Sequence, residues 1–389
     1  MQRKTVVLVC MVDSIHVARW IAQFYPTEVK FILFPSGPNR RVHPKILEMI
    51  ENGKSFDNQI RIVPFDGKLS LPLWALDRLF GDRIRGLLLR RILKKARPDF
   101  VHALEFQHAG YVTIRALEDK SITTPFIATN YGSDIYWFQR FASHRKKIQQ
   151  ILERASIYSC ECQRDAGLAL SMGFRGTVLP IWPNSGLPSD TNPPEFIAPA
   201  DRHLIISKGY DGWAGRAIVF LKAMAMVAPA FKDETIVLFS CNVKVRIFAK
   251  MVSMKTGLAI VAYPKNALSE AEMIRLFSRS RIYVGISVTD GVSTSSLEAM
   301  SVGAFPIQSD TSCSSEWFLS GQTGHSFASF DPEALSVLIT EYYWNLSLLS
   351  DAAESNMRHI QSRRVSMQNS RPHELFYGLG KHGELANGE

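Results

Sequence analysis

The sequence predicts an α/β protein of two domains, each built on a parallel sheet. Three observations carry this. A chain of 389 residues exceeds what one typical core accommodates. Short apolar runs alternate with helical patterns in both halves, the pattern of parallel strands covered on both faces. Between the halves, residues 183–199 hold five prolines, which can continue neither a helix nor a central strand.

In the first half, residues 5–12, 29–34, 60–64, 100–103, 126–129 and 157–160 read as strands. Helical patterns such as 15–24 and 86–96 lie between them. After the proline-rich stretch, strands are expected at 203–207, 235–240, 259–262, 282–286 and 304–308. Helices are expected from about 214, at 243–256, at 270–278 and within 290–303. DPEAL, from Asp331, marks a helix start, with a long continuation over 342–360, and residues 381–389 read as a frayed tail. The expected domains are 1–184, a linker over 185–202, 203–365, and a terminal segment 366–389 that packs back on the first domain. Two doubly wound domains joined in this way make a cleft, with ligands outside the carboxyl ends of the strands.

Composition is that of a globular protein, 46% hydrophobic and 21% charged, which excludes wholesale disorder. A net charge of +9 suits nucleic acid, an anionic membrane surface or phosphorylated ligands, without choosing among them. The five cysteines, Cys10, Cys160, Cys162, Cys241 and Cys313, have no paired metal spacing and read as buried thiols in a reducing compartment. The amino-terminal apolar run is too short for a signal peptide or a membrane span, so a cytoplasmic location is expected.

The chemistry concentrates in Asp290–Pro306, DGVSTSSLEAMSVGAFP. Asp290 opens a glycine turn at the end of an apolar run. Ser293, Thr294 and Ser295 lead into a helix carrying Glu298. A helix amino terminus with backbone N–H groups, hydroxyls and two acids suits the phosphates and hydroxyls of a nucleotide sugar. A purely structural reading competes: Ser295 with Glu298 fits a capping box, and Asp290-Gly291 a simple turn.

The segment resembles the signature of group 1 glycosyltransferases: retaining, nucleotide-sugar-dependent enzymes of the two-Rossmann, GT-B architecture. Their pattern is an acid, a glycine, a variable stretch, then Glu-Ala-Met-x-x-Gly-x-x-Pro. Ser309-Asp310, Glu316 and Gly321-Gln322-Thr323-Gly324 are similar to the family's continuation. Weaker matches include Ser14-Ile15-His16 with Ala18-Arg19-Trp20, Pro98-Asp99 with Val101-His102-Ala103, Tyr131-Gly132-Ser133-Asp134, and Pro183-Asn184, so the similarity spans almost the whole length.

The resemblance implies two Rossmann-like parallel-sheet domains facing a cleft, acceptor on the first and nucleotide sugar on the second. Glu298 would accept hydrogen bonds from the donor ribose, and Asp290 would sit near the donor sugar. Gly291, Val292 and Ser293 would hold sugar hydroxyls through backbone N–H groups. Thr294 and Ser295, with Ser296, would face the diphosphate. Lys208 and Arg216 fall where the family keeps an arginine and a lysine for the diphosphate, here in swapped order and at wider spacing. The family usually has glutamate where this chain has Asp290, one methylene shorter. It commonly has histidine where Tyr131 stands; His16 and His108 are the remaining histidine candidates. No cofactor or metal is implied, and no Asp-x-Asp motif or ligand-spaced cluster is present.

Residues 78–97 form a basic amphipathic stretch suited to an anionic membrane surface or to an ordinary surface helix. A second basic cluster, 144–147, follows aromatic residues 136–138. The expected function is transfer of a sugar from a nucleotide diphosphate to a hydroxyl acceptor with retention, in surface polysaccharide or glycolipid synthesis. The acceptor would be lipid-linked, the enzyme peripheral at the inner membrane surface, and nucleic acid no partner. The alternatives are another two-Rossmann sugar-nucleotide enzyme, an epimerase or inverting transferase, and an inactive membrane-associated partner protein of the same fold.

Overall fold

A computed structural model describes residues 3–24, 29–37, 41–52, 60–63, 70–188, 194–328 and 330–378. The chain divides into two compact units. Unit 1 is Met1–Gly186 with Met367–Glu389, and unit 2 is Leu187–Ser366. The expected tail 381–389 and linker residues 189–193 lie outside the described residues.

Unit 1 holds seven strands: β1 (Lys4–Cys10), β2 (Val29–Pro35), β3 (Ile60–Ile62), β4 (Phe100–Leu104), β5 (Phe126–Thr129), β6 (Ile157–Ser159) and β7 (Thr177–Val178). They form one parallel sheet in the order β3-β2-β1-β4-β5-β6-β7. Successive side chains of a strand point to opposite faces, and along β1 both faces are buried. Val7 and Val9 join one apolar cluster with Leu89, Leu93 and Ile151; Val6, Leu8 and Cys10 join another with Trp20 and Phe24. That is why the run reads as continuous hydrophobics rather than alternating.

The terminal helix Pro372–Tyr377 supplies the second cluster with Phe376 and Tyr377. The Phe376 ring lies 4.8 Å from Trp20, edge-on, and that of Tyr377 5.4 Å from Phe24. This helix thus completes the core of the first unit.

Unit 2 holds β8 (Leu204–Lys208), β9 (Thr235–Cys241), β10 (Ala259–Pro264), β11 (Ser280–Gly285), β12 (Phe305–Ser309) and β13 (His325–Phe327). Their order, β10-β9-β8-β11-β12-β13, is again all parallel. The direction of winding reverses between β1 and β4 in the first sheet and between β8 and β11 in the second, where doubly wound sheets bind ligands. Buried Arg202 anchors the start of the second sheet. Its guanidinium donates to the carbonyls of Ile197 (2.7 Å), Ser280 (3.1 Å) and Val302 (3.0 Å).

One expectation needs correction. The helix expected over 342–360 is two helices, Pro332–Trp344 and Leu346–Asn369. Asn345 breaks the ladder and accepts the Leu348 N–H on its side-chain oxygen (3.2 Å), the behaviour of a helix cap. The basic stretch includes the helix Arg83–Ala96, an amphipathic helix whose buried residues are Arg85, Gly86, Leu89 and Leu93. Arg85 is buried, paired with Asp77 and Asp82 and bonded to the Ser36 carbonyl. Arg90 donates to the carbonyls of Arg115 and Ala116, and Lys94 pairs with Asp119 at 2.7 Å. On the helix Arg83–Ala96 the exposed cations are Arg83, Arg91, Lys94 and Lys95. No helix among the described residues is long and apolar enough to cross a membrane.

Candidate active site

The second unit's site grows from the carboxyl ends of β8 and β11, adjacent strands with Ser207 opposite Val284. The loops that follow are stitched together. The Arg216 N–H donates to the Ile286 carbonyl (3.2 Å), and the Val288 N–H to that of Ala214 (2.8 Å). Gly215 makes this approach possible, since a Cβ there would lie 2.2 Å from the Tyr210 carbonyl oxygen. The structure therefore brings the Lys208–Arg216 loop against the entry to Asp290.

The two cations differ. Lys208 is exposed at the end of β8. Arg216 is half-buried, and its Nη1 donates to the carbonyls of Gly212 (2.6 Å) and Gly215 (2.8 Å). Part of its guanidinium thus braces its own loop.

The turn Asp290-Gly291 leads to the helix Thr294–Ser301. Ser293 is the N-cap, its hydroxyl accepting the Ser296 N–H at 3.4 Å. This corrects the capping-box reading. Ser295 lies inside the helix, the residue three beyond the cap is Ser296, and Glu298 is a further two residues on. Capping therefore does not account for Glu298, whose side chain is held with only 8% exposure. Ser296 is fully buried and donates to Gln308 Oε1 (3.2 Å), so it packs inward rather than toward a ligand.

The glycine turn is pinned from below and behind. The Cys313 N–H donates to the Gly291 carbonyl (2.8 Å), and the Ser293 N–H to Ser314 Oγ (3.4 Å). The Gly291 N–H is taken by Asp290 Oδ1 (3.0 Å). Of the backbone donors expected at Gly291, Val292 and Ser293, two are thus engaged within the protein. The first N–H groups of the helix, at Thr294 and Ser295, have no acceptor within it by its geometry. They form the end of the site best suited to an anion.

Tyr283, on β11, is missing from the sequence-level list. Its hydroxyl lies 3.5 Å from Ser293 Oγ. Burial pushes its pKa far up, hydrogen bonds with Ser293 and Ser295 oppose this, and the charges of Asp290 and Glu298 add to it. Both acids thus disfavour ionisation of this buried hydroxyl, which stays a neutral phenol. Gly285 leaves room there, since its Cβ would lie 2.7 Å from the Tyr283 hydroxyl oxygen.

In unit 1, His16 lies on the helix Ile15–Ala22 after β1, and Tyr131 follows β5. Their rings are 6.4 Å apart, and His16 Nδ1 is 2.6 Å from Ser185 Oγ. The Tyr131 N–H donates to Asp134 Oδ2 (2.9 Å), while its hydroxyl is buried without a hydrogen-bond partner. Around them the strand ends carry buried acids: Glu105, Asp134, Glu161 and Asp165. Glu105 has φ of +80° and its carboxylate accepts the N–H groups of His108 (2.9 Å) and Ala109 (2.6 Å). Its hydrogen bond holds the His108 pKa up. Burial, and then the charge of Glu105, pushes the Asp134 carboxyl well above the usual range. Asp165 accepts from Asn130 Nδ2 (2.8 Å), and Glu161 from the Asn184 N–H (2.9 Å). All five cysteines are buried free thiols.

Residues 5–160 match the family model described as Glycosyl transferase 4-like. No curated protein sequence matches the chain. Among solved structures it is similar to HepE of Anabaena in complex with UDP and glucose, at 12% identity and a TM-score of 0.66, covering 96% of this chain and 100% of that one. A glycosyltransferase from Rickettsia africae gives 13% identity and 0.64 over 97% and 100%. Sucrose-phosphate synthase from Thermosynechococcus elongatus gives 13% and 0.66 over 95% and 98%. The fold is that of GT-B glycosyltransferases: two α/β units on parallel sheets of seven and six strands. The family match over the first unit agrees with the group 1 glycosyltransferase resemblance of the second unit's motif.

Proposed function

We propose that this protein is a retaining glycosyltransferase that moves a sugar from a nucleoside diphosphate to a hydroxyl acceptor. The observation that carries the proposal is Glu298. It is a nearly buried acid inside the helix, one helical turn from an anion-suited helix end, after a strand at the sheet's switch point.

In this reading Glu298 accepts from the ribose hydroxyls. Thr294 and Ser295 present N–H groups and hydroxyls to the diphosphate, and Lys208 with the outer part of Arg216 neutralises it. Charge develops on the diphosphate as the bond from its oxygen to the anomeric carbon breaks, and preorganised cations and N–H groups stabilise that charge. The acceptor oxygen bonds to the same face of the anomeric carbon, and its proton passes to the departing phosphate oxygen. No protein base and no metal is then needed. Asp290, Gly291 and Val292 orient the sugar. His16 and Tyr131 are assigned to contacts with the sugar or the acceptor, which unit 1 would bind.

HepE in complex with UDP and glucose supports a nucleotide-sugar donor. A cytoplasmic enzyme of surface polysaccharide or glycolipid synthesis, reaching a lipid-linked acceptor, accounts for the exposed cations Arg83, Arg91 and Lys95.

The test is incubation with a panel of nucleotide sugars and candidate acceptors, reading released nucleoside diphosphate. Release from at least one donor is expected; consumption of none sinks the reading. Nuclear magnetic resonance of the product decides retention, and an inverted anomeric configuration would refute it.

A further inference from the structure

The helix Val243–Thr256 of unit 2 has two apolar faces. Val245, Ala249 and Val252 pack into the core. On the opposite side Val243, Ile247, Met251 and Met254 are 68%, 59%, 59% and 78% exposed. At about 100° per residue these four fall in one stripe along the helix. Four large apolar side chains in a continuous exposed row are not the scattered surface hydrophobics that need no explanation.

What flanks the stripe indicates what covers it. Lys244 and Lys255 border it on one side, Arg246 and Lys250 on the other, and all four are exposed. Lys244 pairs with Asp211 at 2.9 Å. Residues 235–269 contain no aspartate or glutamate, so the helix and the edge strand β10 beside it bring cations without acids. A second copy of the same face would set cations against cations. A surface with an apolar interior and an anionic skin complements both parts of the pattern.

We propose that the helix Val243–Thr256 docks this protein on an anionic phospholipid bilayer. The stripe enters the headgroup–acyl boundary and the flanking cations Arg246, Lys250 and Lys255 meet acidic headgroups. This contact lies on the unit carrying Glu298 and is independent of the basic helix Arg83–Ala96 of the other unit.

The experiment is flotation of the full-length protein with vesicles of phosphatidylcholine alone, or with about one-third phosphatidylglycerol. Three variants are compared: Ile247→Ser/Met251→Ser/Met254→Ser, Arg246→Glu/Lys250→Glu/Lys255→Glu, and Arg83→Ser/Arg91→Ser/Lys95→Ser. Partition to the anionic vesicles, weak partition to neutral ones, and a loss on the order of tenfold in the first two variants are expected. The third variant should retain most binding. The charge-reversal variant carries the test should the serine variant fold poorly, as thermal melting would show. Three results overturn the proposal: no partition of the wild type to anionic vesicles, as for a surface that serves an acidic protein partner; binding unchanged in both helix variants; or loss confined to the third variant. Nucleotide binding, measured in parallel, is expected unchanged, so the lipid contact fails or stands apart from the transferase reading.

Discussion

The hydroxyl of Tyr283 lies 3.5 Å from Oγ of Ser293, joining the strand below the site to the residue that starts the helix carrying Glu298. Asp290 and Glu298 both act on that hydroxyl. The contact ties the strand to the helix end. Tyr283→Phe removes the tie and keeps the ring in its cluster. The expected result is a several-fold rise in the dissociation constant for nucleoside diphosphate, with a stability loss of about 1 kcal/mol. Titration and urea unfolding read the two effects separately.

Lys208 and Arg216 should separate by the same pair of measurements. Lys208 is exposed, so Lys208→Ala should weaken diphosphate binding in a salt-sensitive manner and leave melting unchanged. Arg216 also braces the carbonyls of Gly212 and Gly215, so Arg216→Ala should lower both affinity and melting temperature.

Arg202 is a purely structural anchor. Its three carbonyl partners, on Ile197, Ser280 and Val302, are left without their donor in Arg202→Met. A destabilisation of about 3 kcal/mol is expected in urea unfolding, in a protein that still binds nucleotide below its transition. A neutral result would contradict this role.

His102 supplies a pH dependence. It is buried between the Tyr377 hydroxyl (2.9 Å from Nδ1) and Thr129 Oγ1 (2.8 Å from Nε2). Burial lowers its pKa to about 3. The unfolded chain, with a histidine pKa near 6.5, therefore binds more protons than the folded one across the interval between these values. Stability from this group is full above pH ~6.5 and falls as pH drops, by up to about 1.4 kcal/mol per unit. Between pH 6.5 and 5 the loss integrates to about 1.6 kcal/mol, since the slope is only half-maximal at the upper end. Urea unfolding of the wild type and His102→Gln across this range should show the variant with a slope shallower by that amount; equal slopes would refute it.

The sequence made some of this legible. The buried strands are apolar on both faces, so runs such as 126–129 appear without structural help, and β5 is Phe126–Thr129. The helices at 243–256 and 270–278 are bounded by Asn242 and Ser269, whose side chains cap them. The break at Asn345 was hidden because the residues around it remain good helix formers and only the side-chain cap decides. The Ser295–Glu298 spacing suggested a capping box, but the chain enters the helix two residues earlier, at Ser293. Buried acids such as Asp165 were illegible for a different reason: its partner Asn130 is 35 residues away, and only the parallel sheet brings them together. Tyr283 read as one more apolar strand position, since nothing local shows where its hydroxyl points.

In the proposed reading the helix end before Glu298 binds a nucleoside diphosphate. Calorimetric titration of UDP, GDP, ADP and dTDP into the wild type and into Glu298→Ala tests it most directly. One of these nucleotides should bind the wild type, and Glu298→Ala should bind it at least about tenfold more weakly with its melting temperature little changed. Binding of none of them, or equal affinity in the two proteins, would contradict the claim.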